Sequence, residues 1–88
     1  MAVRLVDYDT IKGRVQRILE QRFPNNTAAF SFEKGYHGHL YVKIISEEFN
    51  GLSEEAKQRL IWDLLKQELG PDAQDIALAM TYGMDELP

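Results

Sequence analysis

The chain has 88 residues and no cysteine. That excludes a disulfide framework and a thiolate metal site, and it suits a reducing cytoplasm, which is the expected location. Long hydrophobic runs are missing too. None approaches the roughly 20 residues that a membrane helix needs. Residues 1–8 show neither the apolar core nor the cleavage signature of a signal peptide. Concentrated positive charge is also absent: the net charge is −4. Residues 1–24 carry five basic and three acidic groups, while residues 52–88 carry three basic and eight acidic groups. A global electrostatic case for nucleic acid therefore fails, although the first helix keeps a local basic face. Finally, the chain has no nucleophile elbow, Walker loop or helical zinc-protease histidine pair. So short a chain also has little material for a deep catalytic cleft.

What is present amounts to one domain over residues 1–88, expected to bind rather than catalyse. Hydrophobic residues make up 44%, too many for a disordered chain. The spacing of Ile11, Val15, Ile18, Leu19 and Phe23 predicts a helix over residues 9–22, capped by Asp7 or Asp9 and stopped by Pro24. Residues 28–34 and 39–46 alternate as strands. Phe30 and Phe32 share one face of the first, and Leu40, Val42 and Ile44 share one face of the second. The loop Gly35-Tyr36-His37-Gly38 joins them as a hairpin. Ser53 should cap a second helix with an apolar stripe of Leu60, Ile61, Leu64 and Leu65, stopped by Gly70-Pro71. Residues 76–82 form a third strand. The expected fold class is α+β, in the order α-β-β-α-β. It should have a three-stranded mixed sheet, a right-handed crossover and both helices packed on one face.

The segment His39-Leu40-Tyr41-Val42-Lys43-Ile44-Ile45-Ser46-Glu47-Glu48-Phe49-Asn50-Gly51-Leu52-Ser53 resembles the core signature of BolA-like proteins. There a strand ends in a Ser, a Phe and a Gly-x-Ser before the long helix. The resemblance covers roughly residues 9–87 and implies a fold similar to a type II KH domain. It also implies a non-enzymatic module in iron–sulfur handling or stress regulation. Such a module partners a monothiol glutaredoxin and shares a [2Fe–2S] cluster with it; some members are reported to bind DNA. The resemblance implies a loop ligand at His37, with His39 two residues on. The second family ligand falls near Ile76, where this chain has no histidine. The family's Arg-His pair early in the long helix falls on Lys57-Gln58.

Several side chains carry more than one reading. His37 and His39 are either ligands that a partner must complete or polar loop histidines. Trp62 is placed off the apolar stripe with Arg59 and Lys66 on its side of the helix. It is either an interface anchor, together with Tyr36, or a base-stacking platform, or a packed residue with cations at its rim. Lys12, Arg14 and Arg17 would serve an alternative KH-like nucleic-acid surface. Gly35 and Gly38 spell the GxxG of KH domains, but between strands rather than helices. A third alternative is a self-associating scaffold that pairs sheet edges between copies; otherwise a monomer or weak dimer is expected.

Overall fold

The structure is a computed structural model and describes residues 8–23, 28–35 and 38–87. Helix α1 runs Tyr8–Arg22, followed by strands β1, Ala28–Lys34, and β2, Leu40–Ser46. Helix α2, Glu54–Leu69, then crosses over to strand β3, Ile76–Gly83. Short 3-10 turns among the described residues include Glu47–Phe49, Gly70–Asp75 and Met84–Glu86. β2 ends at Ser46, where the alternation of residues 39–46 predicts its end. Asp7 and Pro24, the expected cap and stop of α1, lie outside the described residues; Asp9 sits in the first turn of the helix.

The sheet order is β1-β2-β3, with β1 antiparallel and β2 parallel to their neighbours across β2 and β3 respectively. This is the mixed sheet the element order predicts. Along β2 the side chains alternate strictly. Leu40, Val42, Ile44 and Ser46 are buried, and Tyr41, Lys43 and Ile45 are half-buried on the other face. Both helices cover the first face. Ile11, Val15 and Leu19 of α1 and Ile61, Leu65 and Leu69 of α2 are all in the core.

β3 keeps to this arrangement only through an irregularity. Leu40 pairs with Ile76, but Tyr41 pairs with Leu78, so Ala77 is extra. A bulge of one residue reverses which side chains point inward. Ile76 is buried before it and Ala79, Thr81 and Gly83 after it, while Leu78 is left 43% exposed.

The signature segment builds the corner between β2 and α2. The Ser46 hydroxyl accepts the Glu48 N–H at 3.1 Å and caps the first 3-10 turn. Phe49 is fully buried and meets Phe23 edge-on, with ring centroids 5.8 Å apart. Gly51 has φ +76°, a conformation that L side chains rarely adopt. The Ser53 hydroxyl accepts the Ala56 N–H at 3.1 Å as the cap of α2. Gly70, at φ +59°, ends that helix.

Candidate functional site

One end of the sheet gathers the hairpin bend and the start of β3, because Leu40 pairs with Ile76. The bend is closed by Gly35 N–H donating to the His39 carbonyl at 2.7 Å and by Gly38 N–H donating to the Gly35 carbonyl at 3.1 Å. Gly38 takes φ +76°. The Tyr41 ring lies across Gly35 where a Cβ would stand, so the aromatic ring covers the strand end only because that residue is glycine. His39 is half-buried at the root of the bend. Tyr36 and His37 lie outside the described residues.

The resemblance expects one cluster ligand in the bend, at His37, outside the described residues, and the second near Ile76, which pairs with Leu40 beside the described end of the hairpin. Ile76 is 5% exposed, sits in the core and carries no donor. Among the described residues no group of three or more His, Cys, Asp or Glu side chains could hold a metal ion. Ile76 therefore cannot serve as the second ligand that the resemblance expects near it.

A second constellation was not foreseen from sequence. Lys57, at the family's Arg position, has a side chain only 1% exposed. Its ammonium meets Glu86 Oε1 at 2.6 Å, Glu54 Oε2 at 3.0 Å and the Thr81 carbonyl at 3.1 Å. All three ammonium donors are thereby engaged. The hydrogen bond to Glu86 raises the Lys57 pKa above its ordinary value; burial opposes this, and Glu54 adds to it. Glu86 is held below the ordinary carboxylate value, first by the Gly83 N–H that it accepts at 2.8 Å and then by Lys57.

Gln58, at the family's His position, acts beside it. Its Nε2 donates to the Ala79 carbonyl at 2.8 Å and to Thr81 Oγ1 at 3.2 Å. Its Oε1 accepts the Trp62 indole N–H at 3.1 Å. Among the described residues β3 has a neighbour on one side only, so its outer edge would otherwise offer these groups to another strand. Lys57, Gln58 and Glu86 occupy the Thr81 carbonyl, the Ala79 carbonyl and the Gly83 N–H of that edge. Beside them a shallow groove is lined by Glu54, Gln58 and β3 residues including Leu78, Met80 and Tyr82.

The other expected site residues are dispersed. The buried stripe of α2 is Lys57, Ile61, Leu65 and Leu69, so it is rotated toward Trp62 relative to the sequence pattern. Leu60, Leu64 and Trp62 are its half-buried flanks. Trp62 thus packs at the rim of the core, half-buried, with its N–H bound to Gln58. Arg59 pairs with Glu55 one turn earlier at 3.0 Å, with both side chains exposed, and Lys66 is exposed in the last turn. On α1, Arg14 forms an ion pair with Asp72, and Lys12 lies over the Phe32 ring at 5.8 Å. Arg22 pairs with Glu48 at 3.0 Å, and Arg17 is exposed. Much of the basic face therefore binds α1 to the rest of the fold.

An α-β-β-α-β module with a parallel crossover and a hairpin bend at the opening of β3 defines the class of the molecule. More particularly, a family model described as BolA-like protein matches residues 15–83, and the chain belongs to the BolA-like protein family. Among solved structures it is similar to the BolA domain of SufE1 from Arabidopsis thaliana, with a TM-score of 0.61 and 27% identity over 85% of this chain and 93% of that one. The fold is also that of BolA1 from Arabidopsis thaliana, with a TM-score of 0.61 and 21% identity over 86% of this chain and 94% of that one. No curated protein matches the sequence. Among the described residues no helix is long and apolar enough to cross a membrane.

Proposed function

We propose that the chain is a non-enzymatic, cytoplasmic docking module. It binds a monothiol glutaredoxin or another small protein in iron or iron–sulfur handling or in stress regulation. The observation that carries this is the bend at Gly35–His39, fixed by two backbone bonds at the end of the sheet beside the start of β3. It is a short, shaped connection set on a rigid scaffold, the usual setting for a binding element. In this proposal the Arg59–Trp62–Lys66 side of α2 and Tyr36 of the bend supply separate further contacts to the partner.

Cluster sharing, in this proposal, is confined to a loop imidazole, His37 first and His39 second. The partner supplies the remaining ligands, since Ile76 cannot. The test is titration of the purified chain with a cluster-loaded monothiol glutaredoxin. Co-elution with a changed visible spectrum that is lost in H37A supports docking with ligation. Co-elution with an unchanged spectrum supports docking alone. Absence of any complex overturns the proposal.

A further inference from the structure

The Asn50-Gly51 dipeptide is held in a clasp by the C-terminal turn. Gly51 N–H donates to Asp85 Oδ2 at 3.0 Å, and Asp85 N–H donates to Asn50 Oδ1 at 3.0 Å. Both Asn50 and Gly51 are exposed. The two side chains meet over Gly83. A Cβ at that position would lie 2.5 Å from Asp85 Oδ1 and 2.9 Å from Asn50 Oδ1, so only glycine leaves them room.

Asn-Gly is the dipeptide most open to attack of the backbone on a side-chain amide, because glycine puts no side chain beside the nucleophile. The Gly51 nitrogen loses its proton and bonds to Asn50 Cγ. The bond from Cγ to the side-chain nitrogen breaks, and ammonia leaves with a succinimide behind it. Water opens that ring at either carbonyl, giving aspartate or isoaspartate. One water is consumed and one ammonia released, with no oxidation. Ring closure requires the Gly51 nitrogen to swing beside Cβ, at negative ψ of Asn50. Asn50 instead stands at φ −58° and ψ 129°.

We propose that Asn50 is a spontaneous deamidation site that the Asp85 clasp keeps latent, and that its conversion releases the C-terminal turn. The clasp opposes the reaction in two ways. It fixes the direction of both reacting groups, and it places an anion against the proton that Gly51 must lose. Conversion then acts on the clasp. Isoaspartate inserts a carbon into the backbone between position 50 and the Gly51 N–H, and either product sets a second carboxylate against Asp85. The turn that is released carries Glu86, the partner of Lys57.

The test is incubation of the folded chain at mildly alkaline pH, with peptide mapping of aspartate and isoaspartate at position 50. Wild type should react slowly. D85A should react faster by on the order of tenfold, the factor that loss of about one to two net hydrogen bonds gives. Equal rates in folded wild type and folded D85A overturn latency. If D85A does not fold, wild type is followed in urea below its unfolding transition. A rate that climbs with local opening supports the clasp, and one that climbs only with global unfolding overturns it. Amide exchange on the aged, isoaspartate-bearing chain tests release: lost protection at Gly51 and Gly83 supports it, and retained protection overturns it.

Discussion

Lys57 and Glu86 are 29 residues apart in sequence and 2.6 Å apart in the fold, joining the start of the crossover helix to the turn that follows the last strand. The lysine is buried along its whole stem, and its charge is satisfied from three directions. Replacing it with methionine keeps the stem but strands the Thr81 carbonyl and leaves two carboxylates without their cation. K57M should therefore destabilise the fold by about 1–3 kcal/mol, measured by urea unfolding. E86Q should cost less, since Glu86 is largely open to water and glutamine can still accept the Gly83 N–H.

The same pair sets a pH window. The folded pKa of Lys57 is raised above 10.5. Its contribution is complete below the unfolded value and is lost as pH rises through the higher folded value. The folded pKa of Glu86 is lowered below 4.5, so its contribution is present above the unfolded value and is lost as pH falls through the lower folded value. The stability difference between wild type and K57M should be flat between these limits and shrink outside both. A difference that varied steadily across neutral pH would contradict the assignment.

Gly35→Ala probes the hairpin end. The added methyl would occupy the space of the Tyr41 ring, which must turn away from the strand end. Overpacking of this kind costs about 1–3 kcal/mol. The expected result is a lower unfolding midpoint and a loosened bend, seen as faster amide exchange at Gly35 and Gly38. A midpoint equal to wild type would show that the ring is not fixed there.

The element order, the caps and the inward face of β2 were legible because each rests on local chemistry. Ser53 before two glutamates, Gly70-Pro71 after Leu69, and strict alternation from Leu40 to Ser46 need no distant partner. The bulge at Ala77-Leu78 was not legible, since Ile-Ala-Leu-Ala-Met is apolar on both faces of a strand and fixes no register. Lys57 was missed for a related reason. A lysine in a helix reads as solvated, and its burial depends on Thr81 and Glu86, which lie 24 and 29 residues later. Gln58 draws Trp62 inward, and this turns the stripe from the position its apolar residues suggest. That the second family ligand position falls near an isoleucine was legible, and its burial in the core follows from its place on the inward face of β3.

Because Lys57 and Gln58 close the outer edge of β3, their removal should change how the chain associates. In wild type the carbonyls of Ala79 and Thr81 are taken by side chains of α2, which opposes pairing of this edge between copies. A K57M/Q58A double variant frees both acceptors and the hydroxyl of Thr81 while leaving the exposed Leu78 beside them. It should self-associate at concentrations where wild type sediments as a smaller species. The indole of Trp62, the single tryptophan of the chain, loses its Gln58 partner in the same variant and reports the change by fluorescence. K57M alone frees one carbonyl and should associate less. If the double variant is destabilised yet sediments like wild type, the two side chains stabilise the fold without guarding its edge.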